Sequence, residues 1–89
     1  MVIKDITPKA PIHYLIVPKK HIENVNFLTD GDEQYCWQMM KVAQELGKTV
    51  PSKSFNLVSN NGAGAGQSVF HLHMHFLAGK NIYEGGFKL

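Results

Sequence analysis

Val69-Phe70-His71-Leu72-His73-Met74-His75-Phe76-Leu77-Ala78 is the stretch on which the fold turns. Histidines and apolar residues alternate along it, which is the period of a β-strand, because successive side chains leave a strand on opposite faces. The pattern predicts one strand from Val69 to Ala78. Phe70, Leu72, Met74 and Phe76 would face a core, and His71, His73 and His75 would rise from the other side at roughly 6.6 Å intervals. Imidazoles cost solvation when buried, and a strand shaped only by stability would carry apolar or threonine residues in their place. A lone strand histidine is commonly a bystander, whereas three in strict alternation indicate chemistry. Two chemistries use such a row: ligation of a metal by neutral imidazoles, or proton and phosphoryl transfer by one imidazole that the others support.

Immediately upstream runs Asn60-Asn61-Gly62-Ala63-Gly64-Ala65-Gly66-Gln67-Ser68. Gly62, Gly64 and Gly66 free the backbone to turn amides toward an anion, and Ser68 adds a hydroxyl. By itself such a loop reads as a flexible hairpin connection, since it leads into a strand and not into the helix of a dinucleotide or P-loop fingerprint. Beside a histidine row it favours phosphoryl transfer over metal binding.

Further upstream, Phe55 to Ser59 and Ile12 to Val17 read as strands, the latter ended by Pro18. The two prolines between Thr7 and Pro11 predict a turn, and Lys19 to Phe27 is a polar connector. From Asp30 to Leu46, Tyr35, Met39, Val42 and Leu46 recur at spacings of four, three and four and predict one helix. Thr29 or Asp30 would cap it, Asp32 and Glu33 suit its positive end, and Gly47 suits a left-handed residue just beyond it. Trp37 and Met40 widen the apolar surface, which fits either a thick core-facing helix or a second buried contact such as a subunit interface. Cys36 reads as packing, and Gly79 to Leu89 as irregular.

The chain has 89 residues, 44% of them hydrophobic, and this suits one domain over residues 1–89. A net charge of +2, from scattered lysines, is too slight for a nucleic-acid footprint. One cysteine cannot close an intrachain disulfide, and Met1 to Asp5 lacks the apolar run of a signal peptide, so a cytoplasmic setting is expected. The longest apolar run, Tyr14 to Val17, is far below the roughly 20 residues that cross a bilayer as a helix. No membrane partner is expected.

Gly66-Gln67-Ser68-Val69-Phe70-His71-Leu72-His73-Met74-His75-Phe76-Leu77 resembles the signature of the histidine triad superfamily, and its Gly-Gln-Ser lead-in resembles the Hint branch. Asp5 to Ile22 resembles the same branch over its whole length, and the likeness covers residues 3 to 79. The resemblance implies an α+β fold, an antiparallel sheet with one main helix, and a homodimer. It implies a hydrolase that binds purine nucleoside monophosphates and cleaves nucleoside phosphoramidates without a metal or other cofactor. His73 would attack the α-phosphorus and form a nucleotidyl-histidine intermediate. His71 would lend its backbone carbonyl to His73, His75 would bind phosphoryl oxygens, and His13 would support the row. Ser68 would sit by the departing nitrogen, with Asn60, Gly66 and Gln67 around the phosphate. Asp5 would bind ribose, and Ile6 and Leu15 would line the nucleoside pocket. Taken by themselves, Asp5 reads as a turn residue, His13 as a strand histidine, His21 as a surface residue, and Lys19 and Lys20 as solvated charges.

The branch normally carries a helix and strands ahead of the point where this sequence starts, so a short amino-terminal form is expected. A sheet edge would then need covering by a partner. The tail from Lys80 to Leu89 departs from the family's aromatic and proline-containing ending, which leaves the leaving group open. Three other functions compete: nucleotide binding without turnover, dinucleoside polyphosphate hydrolysis as in the Fhit branch, and a three-histidine zinc protein.

Overall fold

A computed structural model describes residues 1–86. Four strands, β1 Val2–Lys4, β2 Ile12–Ile16, β3 Phe55–Val58 and β4 Met74–Ala78, form one antiparallel sheet in the order β1-β2-β4-β3. One long helix, α1 Glu33–Thr49, packs on it, giving the α+β arrangement read from the sequence. The carboxyl-terminal tail holds a short 3-10 turn, Ile82–Gly85, while the expectation for residues 87–89 lies outside the described residues.

The register explains how one sheet serves two purposes. Tyr14 pairs with Phe76, Ile16 with Met74 and Leu57 with Phe76, so these side chains share a face. That face closes on Met39 and Ala43 of α1, with Phe76 at 0% exposure at the centre. Burying one such aromatic side chain contributes roughly 3 kcal/mol. On the opposite face, Leu15 pairs with His75, His13 with Leu77 and Val58 with His75. Both histidines thereby share a face with apolar neighbours.

The structure departs from the sequence pattern in four places. Regular pairing of the last strand starts at Met74 and not at Val69, because neither neighbour continues: β2 ends at Ile16 before Pro18, and β3 ends at Val58. The extended lead-in is instead pinned by Leu72 N–H, which donates to Ile22 O at 2.6 Å. Val2–Lys4 forms an edge strand that was not anticipated, and all three of its residues are exposed. A 3-10 turn at Asp30–Asp32 precedes the helix, which then runs on to Thr49. Gly47 therefore lies inside the helix. It is buried, and a Cβ there would fall 2.5 Å from Phe55 Cε1, so its glycine serves close helix-to-strand approach and not a left-handed cap.

The helix entrance is fixed by Asp32, which is 1% exposed. Its carboxylate accepts from Thr29 N–H and from the Thr29 hydroxyl, and it also pairs with Lys20. Lys20 is thus a structural partner and not a free solvated charge; each of the pair stabilises the other's charged form. Trp37 and Met40 lie on the outer side of α1 and are exposed.

Candidate active site

His73 is half-buried, and its Nδ1 lies 2.8 Å from the carbonyl oxygen of His71. A carbonyl only accepts, so this contact places the proton on Nδ1 and leaves a lone pair on Nε2. A neutral imidazole in that tautomer is a nucleophile without further activation. The His73 carbonyl is held in turn by the Ser59 hydroxyl, which donates to it at 3.2 Å.

The His71 side chain is employed elsewhere. Its Nε2–H donates to Pro18 O at 3.0 Å, and its ring meets the edge of His21 at a centroid distance of 5.0 Å. His21 is exposed, as read from sequence, yet it lies against this ring. The alternating row therefore does not project three equivalent imidazoles: His71 ties the strand lead-in to the Pro18–Ile22 segment.

His75 joins a different network. His13, buried on β2, receives the Lys9 backbone N–H on its Nδ1 at 3.0 Å. An amide N–H only donates, so neutral His13 carries its proton on Nε2, which lies 2.8 Å from His75 Nδ1. His13 donates to His75, and His75 is left with Nε2–H as a donor of its own. Burial first, then the neighbouring His73 and His13, hold the His75 imidazole below its ordinary pKa, against an opposing pull from Asp5. The His73 and His75 rings meet edge to face with centroids 5.1 Å apart.

Asp5 stands behind His13, with Oδ2 3.4 Å from His13 Nε2. Its other oxygen accepts from the Thr7 N–H and hydroxyl, and the backbone bond is the main reason its carboxyl lies below the usual range. Ligand atoms of Asp5, His13 and His75 lie within 4.8 Å of one another, a grouping that could hold a cation. The Lys9 amide opposes it: ligation through His13 Nε2 would require the proton to move to Nδ1, where it would meet another N–H. Any metal set here would also exclude His71 and replace the three-histidine row considered from sequence.

The glycine loop is ordered by Gln67, which is buried. Gln67 Oε1 accepts from Asn24 Nδ2 at 3.0 Å and from Gly62 N–H at 2.8 Å, while Nε2 donates to the carbonyls of Glu23 and Val69. Its amide is fully engaged within the chain, so the side chain expected beside the substrate holds the loop in shape. Gly66 takes φ +92° and donates its N–H to Ala63 O, and Asn60 Nδ2 donates to Ala65 O at 2.8 Å. Ser68 is exposed at the loop's end. Leu15 sits half-buried across from His75, whereas Ile6 is 95% exposed.

A cavity of about 510 Å³ opens beside these groups, bordered by Asp5, His13, Asn60 and His75 among others. Sequence reasoning missed Lys9, Thr7 and Ser59, which act through a backbone amide, a turn and a single hydroxyl. None of them carries a side-chain pattern that could have announced the role.

A model of the HIT domain matches residues 1–82. An uncharacterized HIT-like protein of Chlamydia muridarum is 42% identical over 80 residues, covering 89% of this chain and 64% of the relative. The chain thus spans less than two thirds of that relative's length. An uncharacterized HIT-like protein of Synechocystis is 40% identical over 78 residues, covering 86% of this chain and 68% of the relative. Among solved structures, a HIT family hydrolase from Clostridium thermocellum superposes with a TM-score of 0.85 at 41% identity, covering 91% of this chain and 72% of that one. A histidine triad nucleotide-binding protein from Candida albicans gives 0.74 at 29% identity, covering 84% and 56%.

Proposed function

The chain belongs to the HIT family, and from that premise we propose that it is a purine nucleotide-binding hydrolase of the Hint type that cleaves nucleoside phosphoramidates. One observation carries the reading: the His71 carbonyl holds the proton of His73 on Nδ1 and leaves Nε2 free, on a ring whose centroid lies 5.1 Å from that of His75. Support comes from the relatives described as hydrolases and as nucleotide-binding.

In the proposed reaction His73 Nε2 forms a bond to the α-phosphorus as the P–N bond breaks. The amine departs with its bonding electron pair and takes a proton from water, and a nucleotidyl-histidine remains. A second water then attacks phosphorus, passing a proton to the hydroxide that the first left behind, the P–N bond to His73 breaks, and the nucleoside monophosphate leaves. His75 Nε2–H receives a phosphoryl oxygen in both steps, where negative charge gathers on oxygen. Ser68 lies beside the departing nitrogen, while Asn60 and Gly66 border the phosphate. Asp5, Ile6 and Leu15 would contact the nucleoside.

The test compares wild type with His73→Ala and His73→Gly on adenosine monophosphate linked to an amine, with intact-mass detection of a nucleotidyl adduct. Turnover and the adduct should both vanish with His73. Nucleotide binding without amine release by wild type would instead select a binding module, and activity lost on chelation and restored by zinc would select metal chemistry. Preferential cleavage of a dinucleoside polyphosphate would move the assignment to the Fhit branch.

A homodimer belongs to the same reading. Trp37 and Met40 present an exposed apolar surface on α1, and β3 is a sheet edge bearing the exposed Phe55. A monodisperse monomer in ultracentrifugation with a sharp thermal transition would overturn it.

A further inference from the structure

The Lys20–Asp32 pair at the helix entrance ties together two parts of the chain that capping alone does not require to be tied. Asp32 is 1% exposed and divides its carboxylate between two tasks. Oδ2 accepts from the Thr29 N–H and hydroxyl and so completes the cap, while Oδ1 accepts from the Lys20 ammonium. Lys20 belongs to the connector of residues 17–23, which contains neither helix nor strand.

That connector holds the residue that orients His73. His71, Leu72 and His73 all precede the first paired residue of β4. Leu72 N–H donates to Ile22 O and His71 Nε2–H to Pro18 O, so carbonyls two residues either side of Lys20 grip consecutive residues of the lead-in. The two grips are held differently. The Ile22 carbonyl lies in the peptide plane leading to Glu23, whose own carbonyl receives Gln67 Nε2. The Pro18 carbonyl lies in the plane leading to Lys19, and although Pro18 is buried, Lys19 and His21 are exposed. Its direction therefore follows the arch from Lys19 to His21, and Lys20 is the member of that arch whose side chain is bonded to the helix entrance.

We propose that Lys20 and Asp32 are positioning residues for His73. They set the Pro18 carbonyl, that carbonyl orients His71, and the His71 carbonyl in turn holds the His73 proton on Nδ1. With the pair cut, His73 takes up the Nε2-protonated form, which has no lone pair on the attacking nitrogen. The catalytic consequence rests on the hydrolase reading above, whereas the tautomer does not.

The experiment combines nitrogen NMR of the histidine rings at about pH 8, above the ordinary histidine pKa of about 6.5, with kcat and KM on adenosine monophosphate linked to an amine. His73→Ala assigns the His73 signals by their loss. The variants are Lys20→Gln, at a side chain 47% exposed, Asp32→Asn, which keeps an acceptor for Thr29, and Lys20→Arg. Wild type should carry the His73 proton on Nδ1. Lys20→Gln and Asp32→Asn should both show mixed tautomers and lose about tenfold in kcat with KM little changed, short of the roughly hundredfold that a 1 Å misplacement costs. Lys20→Arg, which keeps the charge, should restore both readouts, and Lys20→Gln alone decides if Asp32→Asn does not fold. A tautomer shift in the variants where wild type shows no turnover strikes the hydrolase reading and leaves the positioning role standing. A lowered urea midpoint with the His73 tautomer and kcat unchanged overturns the inference.

Discussion

The histidine segment from His71 to His75 and the glycine segment from Gly62 to Gly66 follow one another closely in sequence, yet they are organised by opposite means. The first is set by backbone groups acting on side chains: the His71 carbonyl and the Lys9 amide, neither of which can change its hydrogen-bonding role, decide where the protons of His73, His13 and His75 reside. The second is set by a side chain acting on backbone, since the Gln67 amide holds Gly62, Glu23 and Val69 in register. The proposed chemistry thus rests on side chains that backbone groups orient. The shape of the glycine loop rests on one buried side chain.

The sharpest way to break this contrast is His73→Ala. Turnover of an adenosine phosphoramidate should fall by at least about a hundredfold, the scale of losing a nucleophile. The urea midpoint should stay near that of wild type because the ring is only half-buried. A large loss of stability in this variant would place His73 among the structural residues and dissolve the distinction. Gln67→Leu is the converse. It orphans the buried Asn24 amide together with the part-buried Gly62 N–H and two part-buried carbonyls, and should cost roughly 2–3 kcal/mol in chemical unfolding. Full stability here would mean that the loop holds its shape by other means. Gly66→Ala should cost about 1 kcal/mol, because the residue takes φ +92° and an L side chain is strained there. Its Cβ would also lie 3.4 Å from Asn60 Nδ2, so KM for nucleotide should rise more than kcat falls.

The same contrast marks what the sequence disclosed. The core face was legible because Leu72, Met74 and Phe76 keep the two-residue period and Met39, Val42 and Leu46 lie on the helical stripe, and burial rewards both patterns wherever they occur. The histidines were legible as a group because an alternating row of imidazoles has no stability rationale. Their division of labour was not. His13 and His75 are 62 residues apart in sequence, and the amide that orients His13 belongs to Lys9, whose side chain gives no hint of it. The start of β4 was over-extended because alternation reports a strand's own faces but not where its neighbours stop. Gly47 was misread because a glycine required for close approach to Phe55 looks the same in sequence as one required for a left-handed turn.

The smallest expected effect tests the protonation of His75 directly. Its pKa is lowered in the folded chain from the ordinary value of 6.5, chiefly by burial. The unfolded chain therefore takes up this proton at a higher pH than the folded chain does. Between the two values the unfolded state holds more protons, so the His75 contribution works against folding as pH falls below about 6.5, and is absent at pH 7.5 and above. His13, His73 and Asp5 face the same ring, so the contribution is read as a difference between wild type and His75→Asn. Urea unfolding across pH 7.5 to 5 should show wild type losing stability more steeply than His75→Asn, with the gap opening only on the acid side. Parallel curves would mean that His75 is protonated as easily folded as unfolded. It would then meet the phosphate as an imidazole of ordinary basicity and not as one that burial holds neutral.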